Sequence, residues 1–340
     1  MMHTQVKVRI AQDEDREARR LVSDLHTPRP AIYWTDMLLS ALTGWGAFAA
    51  AIVFQPFSWR MIVASVIAVF ALYRGLCFLH EISHLRQSAV RGFETAWNLL
   101  FGVPMLMPSF IYVGVHQNHH KLSTYGTDQD PEYLPFSGRR LMIVLFSLES
   151  LLLPVFLMIR LLLLSPFGLL SSKVHRWLET RASALCMNVR YVREVQAAVS
   201  RKMIRWEVVT LAVWYGLAAL AAFRVLPWRC FAVWYLVSAV VSFINTLRTL
   251  GAHRYTSDGK PLDRDAQLGD SIDTPGAFWT ELWAPVGLRY HALHHYFPGI
   301  PYHNLNAAYL RLIRGMPDSR YRQATNPSLP WSLRTLYRGR

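Results

Sequence analysis

The chain of 340 residues is 52% hydrophobic and only 17% charged, well below the roughly 25% charge of an average soluble domain, which excludes a disordered protein. Its three cysteines form no CxxC pair, which excludes a disulfide scaffold. The formal net charge of +14 is compatible with nucleic acid or with an anionic membrane surface, and its distribution decides between them.

Four apolar runs are long enough to cross a bilayer, since a spanning helix needs about 20 residues. They cover residues 36–54, 61–79, 207–223 and 228–247. Only short loops separate the first run from the second and the third from the fourth, so we expect two helical hairpins.

The basic side chains lie almost entirely outside these hairpins. Residues 1–30 carry six of them, residues 170–206 carry eight and residues 304–340 carry seven, whereas the two hairpin loops share three arginines. All three basic regions flank apolar segments and contain no nucleic-acid-binding motif. The positive-inside rule therefore places them on the cytosolic side of a membrane, and no nucleic-acid partner is predicted.

Two further apolar stretches have features that spanning helices avoid. Residues 92–113 contain two prolines, which break a straight helix. Residues 141–169 are rich in Leu and Ile but include Glu149 and Arg160, which fit an interfacial helix better than the bilayer centre. Each stretch could cross once by length, and neither is long enough to cross twice.

Histidine is the residue type that carries chemistry in this chain. Nine of the thirteen histidines fall in four places: His80 and His84 in HEISH, His116, His119 and His120 in HQNHH, His253 in LGAHRY, and His291, His294 and His295 in HALHH. On a helix, positions i, i+3 and i+4 share one face, so each group can aim its imidazoles at a common point. Imidazole suits iron, zinc, copper and nickel, and nine imidazoles exceed what one ion requires.

A single metal centre restricts the topology, because all nine histidines must lie on one side of the membrane. Residues 92–113 separate two of the groups, so that stretch must enter and leave the same face. Three apolar runs separate His120 from His253, and two of them form the second hairpin. The third, residues 141–169, must therefore lie in the cytosolic leaflet or dip into it. The predicted fold is an all-α polytopic membrane protein with four transmembrane helices in two hairpins, interfacial or re-entrant helices and a cytosolic helical cap.

HEISH also matches the HExxH motif of zinc proteases, in which two histidines bind zinc and the glutamate is the general base. An intramembrane metalloprotease would use His80, His84 and Glu81, but it leaves seven clustered histidines unexplained. A metal transporter would need ionisable residues along the spans, and the four runs contain few. A site for more than one metal ion would account for the whole set.

The order HxxxH, HxxHH, HxxHH, with one further histidine after the last span, resembles the membrane fatty-acid desaturase and hydroxylase superfamily. The segments AWNLLFGVP, TYGTDQDPEYLPF and ELWAPVGLRYHALHHYFPGIPYHNL are similar to those of bacterial acyl-lipid desaturases, and the resemblance covers roughly residues 35–310. It implies that the nine clustered histidines hold two iron ions near the cytosolic surface, with zinc as a possible substitute in expressed protein.

The resemblance also implies an activity. We expect O2-dependent oxidation of a lipid acyl chain, with desaturation as the main hypothesis and hydroxylation or ketolation as the alternative. No HPGG heme motif is present, so the electrons are expected from an external carrier such as ferredoxin. The expected location is the bacterial inner membrane, with the active site and both termini in the cytosol.

Several polar residues near the histidine motifs, or histidine boxes, are candidates to accept hydrogen bonds from the imidazole N–H groups that face away from the metal. They are Glu81, Asn118, Asp128, Asp130, Asp270 and His303. Some superfamily members have an Asn four residues before the histidine that follows the last span. This chain has Thr249 at that position, which makes a tenth ligand from this helix doubtful.

The predicted organisation has three parts. Residues 1–30 form a cytosolic amino-terminal segment, residues 31–310 form the membrane desaturase domain with its cytosolic di-metal cap, and residues 311–340 form a basic cytosolic tail.

Overall fold

The structure is a computed structural model that describes residues 2–339, with side chains from residue 12 onward. Over this range the secondary structure is helical apart from isolated β-bridges. The helices are α1 Met2–Val22, α2 Pro30–Val53, α3 Trp59–His84, α4 Phe93–Trp97, α5 His116–His119, α6 Arg140–Leu170, α7 Ser172–Arg181, α8 Ala197–Ala222, α9 Arg229–Ala252, α10 Arg264–Asp270, α11 Thr280–Trp283, α12 His291–Tyr296, α13 Tyr302–Gly315 and α14 Leu329–Arg338.

Within the described residues, five helices are long and apolar enough to cross a membrane, namely α2, α3, α6, α8 and α9. Four of them cover the four predicted spans to within one residue, and each continues past the apolar run at one end or both. The prediction of an all-α polytopic membrane protein is therefore confirmed. The fifth helix, α6, is the stretch for which we predicted an interfacial or re-entrant position.

The flanks of α6 lie near the same part of the protein. Before the helix, the Gly138 amide donates to the Leu336 carbonyl at 2.9 Å, and after it the Met187 amide donates to the Pro131 carbonyl at 3.0 Å. Pro131 belongs to the loop that follows the second histidine box. Length and composition thus qualify α6 as a possible span. The contacts of its flanks agree with both ends lying on one side of the membrane. The course of α6 through the bilayer stays a prediction.

The hairpins α2–α3 and α8–α9 turn at the same end of the bundle. Arg229, at the start of α9, donates a hydrogen bond to the Ala51 carbonyl near the end of α2 at 3.0 Å. Ser58 caps α3 by accepting from the Met61 amide, which satisfies one of the free N–H groups of the first turn. The opposite ends of α3 and α9 carry His84 and lead into His253.

Residues 92–113 do not form a spanning helix, as predicted. The short helix α4 continues into a π-helical turn at Asn98–Gly102 and then into irregular backbone. The Trp97 indole donates to the Gly75 carbonyl at 2.7 Å. Phe101 lies so close to Gly75 that a Cβ there would be 1.9 Å from its ring, so a glycine in the middle of α3 is what admits this segment.

Both terminal segments pack against the rest of the protein. Helix α1 contacts α13, and Ala18 and Val22 are buried in a core with Leu312. Helix α14 contacts α9, with Leu329 against Gly251. The boundaries near residues 30 and 310 stay predictions.

Candidate metal centre

The nine box histidines form two neighbouring clusters. The first cluster contains His80, His84, His116, His120 and His294, and the second cluster contains His119, His253, His291 and His295. Within each cluster one nitrogen atom from every imidazole lies within 4.8 Å of all the others. The rings of His120 and His295 stack at 4.2 Å between centroids, so the clusters lie side by side.

Helical spacing explains how few elements supply so many ligands. Helix α3 places His80 and His84 one turn apart on the same face, and it ends there. The short helices α5 and α12 do the same at i, i+3 and i+4, but each divides its histidines between the two clusters. His253 adds the last ring immediately after α9. The centre therefore joins four distant parts of the chain.

In both clusters the Nε2 atoms converge. In the first cluster His294 Nε2 lies 3.0 Å from His84 Nε2 and 3.2 Å from His120 Nε2. In the second cluster His253 Nε2 lies 2.8 Å from His291 Nε2 and 3.3 Å from His119 Nε2. Lone pairs that face one another at such distances repel, and a shared cation removes the repulsion.

Several Nδ1 atoms point outward to partners that fix the ring tautomer. His116 Nδ1 lies 2.7 Å from Glu132 Oε1, and His119 Nδ1 lies 2.9 Å from Asp130 Oδ1. A histidine that donates its Nδ1 proton to a carboxylate presents a lone pair on Nε2, which is the form that binds a metal. This arrangement fits a metal ion in each cluster, whereas an isolated hydrogen-bonded histidine network would need protons between the Nε2 atoms.

A second outward chain leaves His253. Its Nδ1 lies 2.8 Å from the Tyr125 hydroxyl, which donates in turn to Asp270 at 3.0 Å. All three side chains are buried. Asp270 therefore acts on His253 mainly through Tyr125, since its own nearest oxygen is 3.6 Å from the ring nitrogen.

Burial keeps most of these imidazoles neutral. It lowers the pKa well below the ordinary value, and the neighbouring histidines lower it further, for His116, His120, His291, His294 and His295. For His119 burial acts in the same direction, but the buried Asp130 carboxylate outweighs it and raises the pKa. Neutral imidazoles are metal ligands, so the clusters are chemically suited to cations.

Of the six polar candidates from the sequence, Asp130 and Asp270 do lie behind the histidines. Glu81 does not, because it accepts from the Tyr33 hydroxyl at 2.6 Å and from the Tyr302 amide at 3.2 Å. The expectation that Glu81 orients an imidazole is therefore not supported by the geometry.

The other three candidates also contact groups outside the clusters. Asn118 donates to the Tyr191 hydroxyl at 2.6 Å, and Asp128 is exposed beside Gln129. His303 accepts from the Arg29 amide at 3.1 Å, so it ties the chain before α2 to α13. These three side chains stabilise loops, which is the alternative role that such residues commonly have.

Sequence reasoning missed four groups that contact the histidines. Glu132 bonds His116, whose Nδ1 also lies 2.9 Å from the Tyr112 hydroxyl. Tyr125 bonds His253, and the Gln267 amide lies 3.3 Å from His295 Nδ1. Glu132 and Tyr125 both lie in TYGTDQDPEYLPF, the segment on which the family resemblance rests, so that segment was the available signal. Gln267 has no such signal in the sequence.

A large cavity leads to the first cluster. Its volume is about 1300 Å³, above the roughly 300–1,000 Å³ of a typical small-molecule pocket. Apolar side chains such as Leu76, Met107 and Phe156 line it, His80 lies on its wall, and Arg190 lies at an exposed part of the rim. A cavity of this size and lining suits a long apolar ligand.

Five candidate membrane spans, two histidine clusters that could hold metal ions and an apolar cavity beside them are together the features of a membrane enzyme. A profile of the fatty acid desaturase family matches residues 56–326, most of the chain. The protein belongs to this family, and it is an oxidoreductase-type enzyme of the desaturase and hydroxylase superfamily.

A comparison with curated proteins gives a relative along nearly the whole length. The ceramide hydroxylase of Caulobacter vibrioides (strain NA1000 / CB15N) is 38% identical over 329 residues. The match covers 95% of this chain and 93% of the relative. The two proteins therefore share their architecture from end to end rather than through the histidine boxes alone.

Proposed function

We propose that the protein is a lipid hydroxylase that inserts one oxygen atom from O2 into a C–H bond of a ceramide-type lipid. The second oxygen atom would leave as water, with two electrons from an external carrier and two protons. The observation that carries this proposal is the end-to-end similarity to a ceramide hydroxylase. The sequence alone favoured desaturation, with hydroxylation as the alternative, and this relative favours the alternative. Histidine boxes do not distinguish the two reactions, because both begin with removal of hydrogen from the same kind of unactivated carbon.

The donor set supports two iron ions, one in each cluster. Bound iron would supply the O2-derived oxidant that an unactivated C–H bond requires, which no amino-acid side chain can provide. The protein contributes the rest. The cavity would hold the lipid, and Asp130 and Glu132 fix the orientation and the protonation of His119 and His116.

The distribution of charge supports a cytosolic centre. The histidine clusters lie at the ends of α3 and α9 opposite to the turns of the two hairpins, and the basic regions belong to the same side by the positive-inside rule. We infer that the protein lies in the bacterial inner membrane with its catalytic side in the cytosol. An acidic external electron carrier, with ferredoxin as the simplest candidate, would be attracted to this basic face.

The geometry gives no support to the intramembrane protease hypothesis. That mechanism requires Glu81 to act as a base on a water molecule bound near His80 and His84. Both hydrogen bonds of Glu81 lead instead to Tyr33 and Tyr302. Glu81 therefore faces the packing between α2, α3 and α13.

The product decides the function. Cells of a host that makes ceramide but lacks this activity should be compared with and without the gene by mass spectrometry of their lipids. Hydroxylation adds one oxygen atom to ceramide, whereas desaturation removes two hydrogen atoms. An inactive His294→Ala variant is the control. A new double bond with no new hydroxyl would refute hydroxylation in favour of the original desaturase hypothesis, and an unchanged lipid profile would refute both.

A further inference from the structure

Arg248 is a half-buried cation on the wall of the cavity that leads to the histidines. It lies on α9, about one turn before the helix ends near His253. Its guanidinium donates to Asn245 Oδ1 at 2.9 Å and interacts with the Tyr73 hydroxyl, and its buried Nε atom has no hydrogen-bond partner. Among the described residues no carboxylate lies within ion-pair distance of Arg248. A partly desolvated charge with so few partners is costly, and an acceptor on a bound ligand would reduce that cost.

Two arginines are buried among the described residues, and both are well paired. Arg160 donates to Glu207 at 2.6 Å and to Ser165 at 2.8 Å, and Arg193 donates to the Phe110 and Val113 carbonyls. These two side chains hold helices and loops together. Arg248 has no such carboxylate or carbonyl partner, and it lines the cavity.

Glu132 is the carboxylate whose charge acts on Arg248, and it already has other partners. The charges of Arg248 and Glu132 influence one another, but Glu132 contacts His116 at 2.7 Å and accepts from the Tyr112 hydroxyl at 3.3 Å. Arg248 and His80 line the same cavity, and the Arg248 charge acts on His80 in the first cluster and on His291 in the second. An acceptor held by Arg248 would therefore lie beside the metal centre.

We propose that Arg248, assisted by Asn245, binds the amide carbonyl oxygen of the lipid and thereby selects a carbon close to that amide for oxidation. The hydrocarbon part of a lipid has no group that could bind a guanidinium, and an amide carbonyl is a stronger acceptor than an ester or thioester carbonyl. A ceramide-type lipid has an amide at the junction of its two chains. Arg248 is then a specificity-determining residue, and the inference rests on the proposed ceramide-type substrate.

The test compares two neutral lipids in two protein variants. One lipid is ceramide, and the other is a carbon-linked analogue with two methylene groups in place of the amide. Arg248→Met removes the guanidinium but keeps an unbranched side chain that favours helix. Arg176→Met, at an exposed position on α7, is the matched control for the loss of one positive charge.

With ceramide, Arg248→Met should raise KM about 10- to 100-fold, as expected for one hydrogen bond to a charged group. With the analogue, KM should be the same in both proteins. Arg248→Lys should recover part of the ceramide affinity, because a lysine donates from a single point rather than from a planar fork. The hydroxyl formed by wild-type protein should lie next to the amide, and Arg248→Met should distribute it over several carbons.

Metal content and thermal stability separate this role from a structural one. Replacement of a partly desolvated charge that has no ion-pair partner by an apolar side chain of similar size is neutral or stabilising, so Arg248→Met should retain its metal and its melting temperature. Loss of metal in Arg248→Met, or an equal loss of affinity for both lipids, would overturn the proposal. An unchanged KM for ceramide, or impairment of Arg176→Met to the same degree, would do so as well.

Binding without turnover keeps the two proposals distinct. Titration of a fluorescent ceramide under anaerobic conditions measures affinity whether or not the lipid is oxidised. If wild-type protein bound ceramide better than the analogue, and Arg248→Met abolished that preference, the assignment of Arg248 would stand even if hydroxylation failed. If ceramide were oxidised but the preference did not depend on Arg248, only the assignment would fail.

Discussion

Asp130 offers the sharpest test of how the metal centre is held. Its fully buried carboxylate accepts three hydrogen bonds at 2.9 Å, from the His119 ring and from the backbone amides of Gly126 and Glu132. It thus links one imidazole of the second cluster to the loop that follows the second box. A change at Asp130 should affect metal binding first and the loop second.

The magnitudes separate two substitutions. Asp130→Ala would leave three buried donors without an acceptor, at about 1–3 kcal/mol each, for a total of about 3–9 kcal/mol. Since a typical protein is stable by only ~5–15 kcal/mol, that variant approaches unfolding. Asp130→Asn keeps one oxygen and should lose roughly one contact, about 1–3 kcal/mol. Loss of a carboxylate partner behind a metal ligand typically costs ~10–100-fold in metal affinity or activity.

The assay compares Asp130→Asn with Asp128→Asn, which changes an exposed carboxylate two residues away. Iron per chain, lipid oxidation and melting temperature are measured for both variants. Asp130→Asn should bind iron ~10–100-fold more weakly and should remain folded, and Asp128→Asn should match the wild type. Wild-type metal affinity and activity in Asp130→Asn would refute the argument that this carboxylate orients His119, as would equal damage in the two variants.

Three other predictions concern metal, catalysis and topology. Purified protein should hold close to two iron ions per chain. His119→Ala should lower the metal content substantially, whereas His175→Ala, which lies outside both clusters, should not. Retention of full metal by His119→Ala would remove His119 from the site. Glu81→Gln should keep measurable O2-dependent lipid oxidation while His294→Ala keeps none, because Glu81 contacts no clustered histidine, and the reverse pattern would favour a protease. A reporter at Ser171, directly after α6, should register on the cytosolic side with the carboxyl-terminal tail, and the opposite location would show that α6 crosses the membrane.

The physics of the bilayer made most of the fold predictable. Four spans followed from the length of apolar sequence that crosses hydrocarbon, and the short loops predicted hairpins. The same reasoning does not place α6. The helix is long enough to cross the bilayer, but its position depends on what its flanks contact. Only a tertiary contact such as that between Met187 and Pro131 carries this information.

The ligands were predictable because helical spacing alone brings imidazoles together, whereas their partners were not. Glu81 follows His80 by one residue and so points about 100° away around the helix, toward Tyr33. Glu132 reaches His116 through a loop whose path the sequence does not reveal. Arg248 lies just beyond the fourth apolar run, where no sequence motif marks it, and its role is suggested only by the cavity that it lines.

The division of α12 between the clusters has a consequence for biosynthesis. His84 and His294 are 210 residues apart in the chain, so at ~5–20 residues per second a ribosome needs about 10–40 s to supply the second after the first. Throughout that interval the hairpin α2–α3 can already be in the membrane, while His80 and His84 lack the histidines of α12. Neither cluster is complete until α12 docks, because that one short helix supplies histidines to both. A chain that ended before residue 291 would therefore insert into the membrane but could assemble neither metal site.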